Sequence, residues 1–236
     1  MQTRANWVLA LGLVLGLGLL GYLLSSAALA VKQLERTVTV KGLSEREVPA
    51  DVVIWPIQYS AASNDLNELY QTLERHNAAI ERFLSQGGVA AEAISIAPPA
   101  IMDKSAQQYG GGEPAPFRFT AMQTVTVYSE QIEPVRALMA RLSELGKQGL
   151  VILGNQYQGS TQYLFTGLND LKPGMIEEAT RQAREVALKF AADSDSQLGK
   201  IRRASQGQFS INDRDSSTPH IKKVRVVSTV EYYLTD

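Results

Sequence analysis

Apolar residues crowd the start of the chain without relief: from residue 7 to 24 they are nearly continuous, and no charged side chain stands between Arg4 and Lys32. A helix needs roughly 20 mostly apolar residues to cross a bilayer core, so the pattern predicts either a membrane-spanning helix or the apolar part of an export signal. After residue 31 the pattern becomes amphipathic. Residues 37–41 and 51–60 predict strands, the second dense in Val52, Val53, Ile54, Trp55 and Ile57, with Pro56 marking an edge or a bulge. Leu66, Leu69, Tyr70, Leu73, Ile80, Phe83 and Leu84 recur at helical spacing, opened by Ser63 or Asn64 and closed by Gly87 and Gly88. Strands are predicted over 94–97 and 117–128, the latter with Phe117, Phe119, Ala121, Val125 and Val127 on one face.

A second helix is predicted over 133–145, on a stripe of Val135, Leu138, Met139, Leu142 and Leu145. Strands at 150–157 and 162–165 read as a hairpin turning around Gly159 and Ser160. A third helix runs from Pro173 to about 193–196, paved with Ala179, Ala183, Val186, Ala187, Phe190 and Ala191. Strands at 201–211 and 221–234 complete an α+β layout with helices packed on a mixed or antiparallel sheet. The pattern divides the chain into a membrane or signal segment, 1–31, and a soluble domain, 32–236, long enough to bury a core without disulfides. Two segments interrupt the periodicity: 97–116, rich in Pro and Gly, and the polar 212–219. Loops as long as the first inside a compact domain are usually functional or disordered.

The first segment allows two readings. Arg4 and the small residues Ala28 and Ala30 suit a cleaved signal peptide, whose apolar middle is about 7 to 15 residues. The greater length here, four glycines (Gly12, Gly16, Gly18, Gly21) and interfacial-type Trp7 and Tyr22 suit a retained anchor. Gly12 and Gly16 form a GxxxG pair, which lets membrane helices approach closely. Lys32, Arg36 and Lys41 on the far side would hold the body in the cytosol by charge count, yet long domains translocate largely regardless of charge. The chain contains no cysteine, which is compatible with an oxidising compartment. Export is the expectation.

A formal net charge of -1 offers no global field for nucleic acid. Arg202 with Arg203, and Lys222, Lys223 and Arg225, are basic spots on strands, and no nucleic-acid partner is expected. The absence of cysteine excludes thiol chemistry. Two imidazoles remain: His76, at the margin of the first soluble helix, reads as a packing residue. His220 stands near Asp213, Asp215, Ser216 and Ser217, a grouping that admits a hydrolase, although no GxSxG elbow accompanies it. Asp213, Asp215 and Ser217 begin like a calcium loop, but Thr218 replaces the turn glycine and Val224 the bidentate glutamate, so a polar hairpin loop is the reading. Gly146-Lys147 and Gly199-Lys200 lack the rest of a P-loop. No catalytic, cofactor-binding or metal-ligating residue is assigned, and no cofactor is expected.

Val38-Thr39-Val40-Lys41-Gly42 and then Glu45-Arg46-Glu47-Val48-Pro49-Ala50-Asp51 resemble the opening of the SIMPL domain family: a short strand ending near glycine, a return strand and a Pro-x-Asp corner. Ala179-Thr180-Arg181-Gln182-Ala183-Arg184, then Ala187, Lys189, Ala191 and Leu198-Gly199-Lys200-Ile201, resemble its alanine-rich helix and Leu-Gly-Lys exit, and 224–233 its final strand. The order and spacing of these segments, spanning 37–235, carry the resemblance. It implies repeated strand-strand-helix units in a bacterial periplasmic or envelope protein, with immunogenic, oxidative-stress-linked and ring-forming relatives and no established catalytic set. The long N-terminal helix and Asp193-Ser194-Asp195-Ser196-Gln197, where an Ala/Gly-rich helix end is usual, depart from the family pattern. The resulting expectation is a non-enzymatic scaffold, single-pass in the inner membrane with its soluble domain in the periplasm, homo-oligomeric, its protein partner unnamed. The alternatives are secretion after signal cleavage, and a hydrolase or small-ligand module using the 213–220 or 97–116 loops.

Overall fold

The computed structural model describes residues 2–33, 36–106, 116–154 and 159–235. The chain forms two compact units. One comprises Glu47–Asn169 and Ile211–Lys223. Its spine is β2 (Val52–Ser63) paired antiparallel with β5 (Phe119–Ser129) from Val53↔Ser129 to Ser63↔Phe119 without a register shift. Alternation along the two strands sends Val53, Trp55, Ile57, Tyr59, Ala121, Val125 and Val127 to one buried face. Leu69, Leu73, Ile80, Phe83 and Leu84 of α2 (Leu66–Gln86) are buried in the same core. The helix begins one residue past the positions the pattern suggests: Asp65 is the N-cap, accepting from the Glu68 amide at 2.9 Å. Ser63 instead donates to the Glu68 carboxylate at 2.6 Å. Gly87 closes the helix, and Gly88 takes the positive φ (86°) that turns the chain away.

Several expectations are corrected in this unit. The helix predicted over 133–145 is two, α3 (Ile132–Ala140) and α4 (Ser143–Lys147), because the Arg141 and Leu142 amides bond back in tight turns to Leu138 and Met139. Val135 and Leu138 before the break and Leu145 after it are buried in the same core. The stretch 97–116 is not all loop: after β3 (Ile94–Ile96), β4 (Ala100–Asp103) pairs with β5 from Ala100↔Met122 to Asp103↔Phe119. Residues 107–115 of that stretch lie outside the described residues.

Residues 155–158 of the predicted 150–157 and 162–165 hairpin lie outside the described residues, and its described parts do not pair with each other. β6 (Val151–Ile152) and β7 (Gln162–Leu164) both pair antiparallel with β2, the first at Ser60 and Tyr59, the second at Ile54 to Val52. They run in the same direction, as two pieces of one interrupted strand. Pro56 lies between the pieces and stays in register with Thr126 of β5, so it marks no bulge; among the described residues neither piece pairs with it, which leaves it a local edge. A proline has no N–H to give, and here the partner on its other side is interrupted. Gly159 takes φ 77°, and a Cβ there would stand 3.4 Å from the Pro56 ring.

The other unit comprises Met1–Arg46, Asp170–Ser210 and Val224–Asp236. Its sheet has the order β1 (Thr37–Pro49), β10 (Ile221–Thr235), β8 (Gln197–Gln206), with β9 (Ser210–Asp213) also on β10. The short strand and return strand implied near 37–51 are thus one 13-residue strand, and the strand predicted over 201–211 is two. The helix α5 (Leu168–Asp193) starts ahead of Pro173 and buries Met175, Ala179, Ala183, Ala187 and Ala191, a strict i,i+4 line. Val186 and Phe190 lie outside that line and are exposed, contrary to the wider stripe read from the sequence. Alanines on α5 admit β1 closely. A Cβ on Gly42 would overlap the Ala179 carbonyl and come within 2.6 Å of the Ala183 amide.

α1 (Gln2–Gln33) is continuous, with side chains described over 12–28. Within that stretch Leu13, Val14, Leu15, Leu17, Leu19, Leu20, Leu23 and Leu24 are all more than half exposed, and nothing lies within 4 Å of where a Cβ would stand on Gly12 or Gly16. Among the described residues no helix is long and apolar enough to cross a membrane. The architecture is α+β, and every pairing of described register is antiparallel, in two sheets of four and six strands where the pattern predicts one.

Candidate functional site

The turn from Asp213 to His220 holds the one imidazole-carboxylate grouping legible in the sequence. Asp215 folds the turn around itself: its carboxylate accepts from the Ser217 and Thr218 amides, each at 2.8 Å, from the Thr218 hydroxyl and from Arg214 Nε at 3.0 Å. Those donors hold its carboxyl below the usual carboxylate range, the Thr218 hydroxyl most strongly. Asp213 is bound to Lys222 Nζ. Lys222 lies in line with Val224 and Val226 on the buried face of β10, so this pair satisfies a largely buried ammonium. His220 packs edge-on to Tyr163, ring centroids 6.0 Å apart, and its carbonyl accepts from the Ala50 amide at 2.8 Å. Asp213, Asp215 and His220 are therefore engaged in shaping the turn and its packing, and no group of three or more metal-capable side chains occurs among the described residues.

The segment 97–116 is closed at its neck. Arg118 grips Asp103 through Nε and Nη2 at 3.2 and 2.9 Å, and the Lys104 amide donates to the Arg118 carbonyl at 2.9 Å. The guanidinium holds the Asp103 carboxyl below the usual range.

His76 packs edge-on to Tyr59 at 5.5 Å, as a boundary side chain does. Its Nδ1 is buried without a hydrogen-bond partner, and desolvation, reinforced by the Arg75 charge, lowers its pKa. Beside it lies a polar network that periodicity does not reveal. The fully buried Tyr59 hydroxyl is 2.6 Å from Gln123 Oε1 and 2.7 Å from Asn77 Oδ1. Asn77 Nδ2 donates to Gln123 Oε1 at 3.2 Å, and Gln123 Nε2 to the Ala97 carbonyl at 2.8 Å. Burial pushes the Tyr59 phenol well above its ordinary value. The only sequence signal was Gln123 at an inward position of an otherwise apolar strand face. The network ties α2, β2 and β5 to the start of the 97–116 segment, and it holds no nucleophile poised against a base.

What remains are surfaces. β1 and β8 flank β10, and each has β10 as its described neighbour. β8 is exposed over nearly its whole length and carries Lys200, Arg202 and Arg203, with register shifts on either side of Tyr232 in its pairing with β10. Charges and bulges of this kind are what blunt an edge strand. A comparison with curated proteins gives no match. Residues 38–232 match SIMPL, described as a protein of unknown function (DUF541), and since the match runs through both units the chain belongs to the SIMPL family.

Proposed function

We propose that the protein is a non-enzymatic scaffold of the bacterial envelope, held in the inner membrane by α1, with its SIMPL domain in the periplasm and joined to further copies of itself. The observation that carries the reading is α1: Leu13, Val14, Leu15, Leu17, Leu19, Leu20, Leu23 and Leu24 are distributed around the helix and all are exposed. A helix apolar all round requires an apolar surrounding. Self-association is supported by β1, which has β10 as its described sheet neighbour and so offers an edge to a further strand. A role in stress tolerance rests on the family resemblance alone.

Membrane fractionation followed by alkaline extraction tests the tether, and protein released wholly into the soluble fraction at its cleaved length would replace it with a secreted form. Protease added to intact spheroplasts should remove the 38–232 body, and protection there would reverse the orientation. Sedimentation of the full chain in detergent should give a discrete multiple of the protomer mass; a monomer at every concentration would end the scaffold reading.

A further inference from the structure

The unit built on β10 contains a groove, of about 780 Å³, bounded by α5 on one side and β8 on the other. Its size falls within the roughly 300–1,000 Å³ of small-molecule sites. The floor is apolar and arises from the local sequence: Tyr232 lies buried at its base, Ile201 forms the strand wall, and Gly199 contributes no side chain. Gly199 cannot be replaced without meeting the Tyr233 backbone oxygen at 3.0 Å, so this opening is built into the pairing of β8 with β10. The rim is cationic. Arg181 and Arg184, one turn apart on α5, face Lys200 on β8, with Glu177 a turn further along. Among the described residues the side chains of Arg181, Arg184 and Lys200 form no hydrogen bond or salt bridge, although the Arg181 charge acts on the Glu178 carboxylate.

Three cations without such partners over an apolar floor suit a molecule with one anionic head and an apolar body. Guanidinium groups offer paired N–H donors that match the oxygens of a carboxylate or phosphate. The single carboxylate of Glu177 disfavours a second anionic group at that end of the groove. We propose that this groove binds a small anionic amphiphile, its head held by Arg181, Arg184 and Lys200 and its apolar part lying on Ile201 and Tyr232. The head can be that of a phospholipid or of a free fatty acid, which share this chemistry.

Equilibrium dialysis of octyl phosphate and octanoate against the full chain in phosphatidylcholine nanodiscs, with empty nanodiscs as blank, tests the site. Saturable binding of one molecule per chain is expected. The R181Q/R184Q variant should bind about tenfold more weakly or worse, and K200Q, on an exposed strand position, should weaken binding without touching the helix. Far-UV circular dichroism identifies any variant that fails to fold, and K200Q then decides alone. Stronger binding of octyl phosphate points to a phospholipid-type head, and stronger binding of octanoate to a fatty acid. Octanol binding as tightly as its charged analogues would overturn the role of the cations. Inorganic phosphate binding as tightly as octyl phosphate would overturn that of the floor, and unaltered affinity in both variants would overturn the site.

Discussion

The two units bury different kinds of side chain. Around β2 and β5 the core is made of large residues: Ile57, Tyr59, Leu69, Ile80, Leu84 and Leu138 are at most 2 % exposed. Around β10 the core cluster is Val40, Ala183, Ala187, Val230 and Tyr232, and the helix meets the strand through backbone and methyl groups. The first core excludes water with volume, so it is sensitive to lost methylenes. The second depends on how closely two backbones approach, so it is sensitive to added ones. An alanine face needs a glycine opposite; a leucine face needs a wide sheet.

The contrast can be broken from either side. Leu84→Ala should give the largest effect, about 2–5 kcal/mol of stability, read from the fluorescence of the buried Trp55 during chemical unfolding. Gly42→Ala should follow, at the upper end of about 1–3 kcal/mol, because the clash is with backbone that no rotamer change relieves. Hydrogen exchange along 224–235 should report it, while Trp55 keeps its midpoint; a silent Gly42→Ala would dissolve the comparison. Tyr59→Phe keeps the ring and removes the hydroxyl, costing about 1 kcal/mol, and should loosen amide protection near Ala97, where Gln123 is anchored.

The smallest effect concerns pH. His76 has its folded-state pKa depressed below 6.5 by desolvation and by Arg75. Between those two values the unfolded chain binds a proton that the folded chain does not, so stability falls as pH drops through 6.5 toward the folded value. His76→Gln should flatten that slope, as measured by unfolding midpoints between pH 7.5 and about 5. An unchanged slope would assign it to other groups.

Strong periodicity made part of this fold legible. α2 and the paired β2 and β5 follow from their spacing, since amphipathic order over many residues has one solution. The interrupted β6 and β7 were not legible, because two short apolar runs separated by Gly159 look like a hairpin unless one knows that both face β2. β4 was masked by the prolines and glycines around it. The Ala179 to Ala191 line was visible, but a helix face of small residues does not show its width, and Val186 and Phe190 were drawn into it. Lys222 read only as part of a basic spot, and its register on β10 and its bond to Asp213 show that it is buried. At the level of chemistry the sequence suggested a histidine among acids, and geometry shows those acids closing a turn. The groove beside β8 was invisible because its members come from segments about twenty and fifty residues apart.

The pairing of β2 sets unequal tolerance to changes in chain length. On one side it holds β5 through eleven successive pairs without a shift. A single inserted residue there would exchange every inward side chain for an outward one. On the other side the described pairings are those of Val151 and Ile152 and those of Gln162 to Leu164. Residues added between them leave both registers with β2 in place, at a cost that grows only slowly with length. Homologues of this protein should therefore differ in size opposite Pro56 and hold constant length between Val53 and Ser63, and a fluorescent or affinity tag grafted into the interval should leave the fold intact.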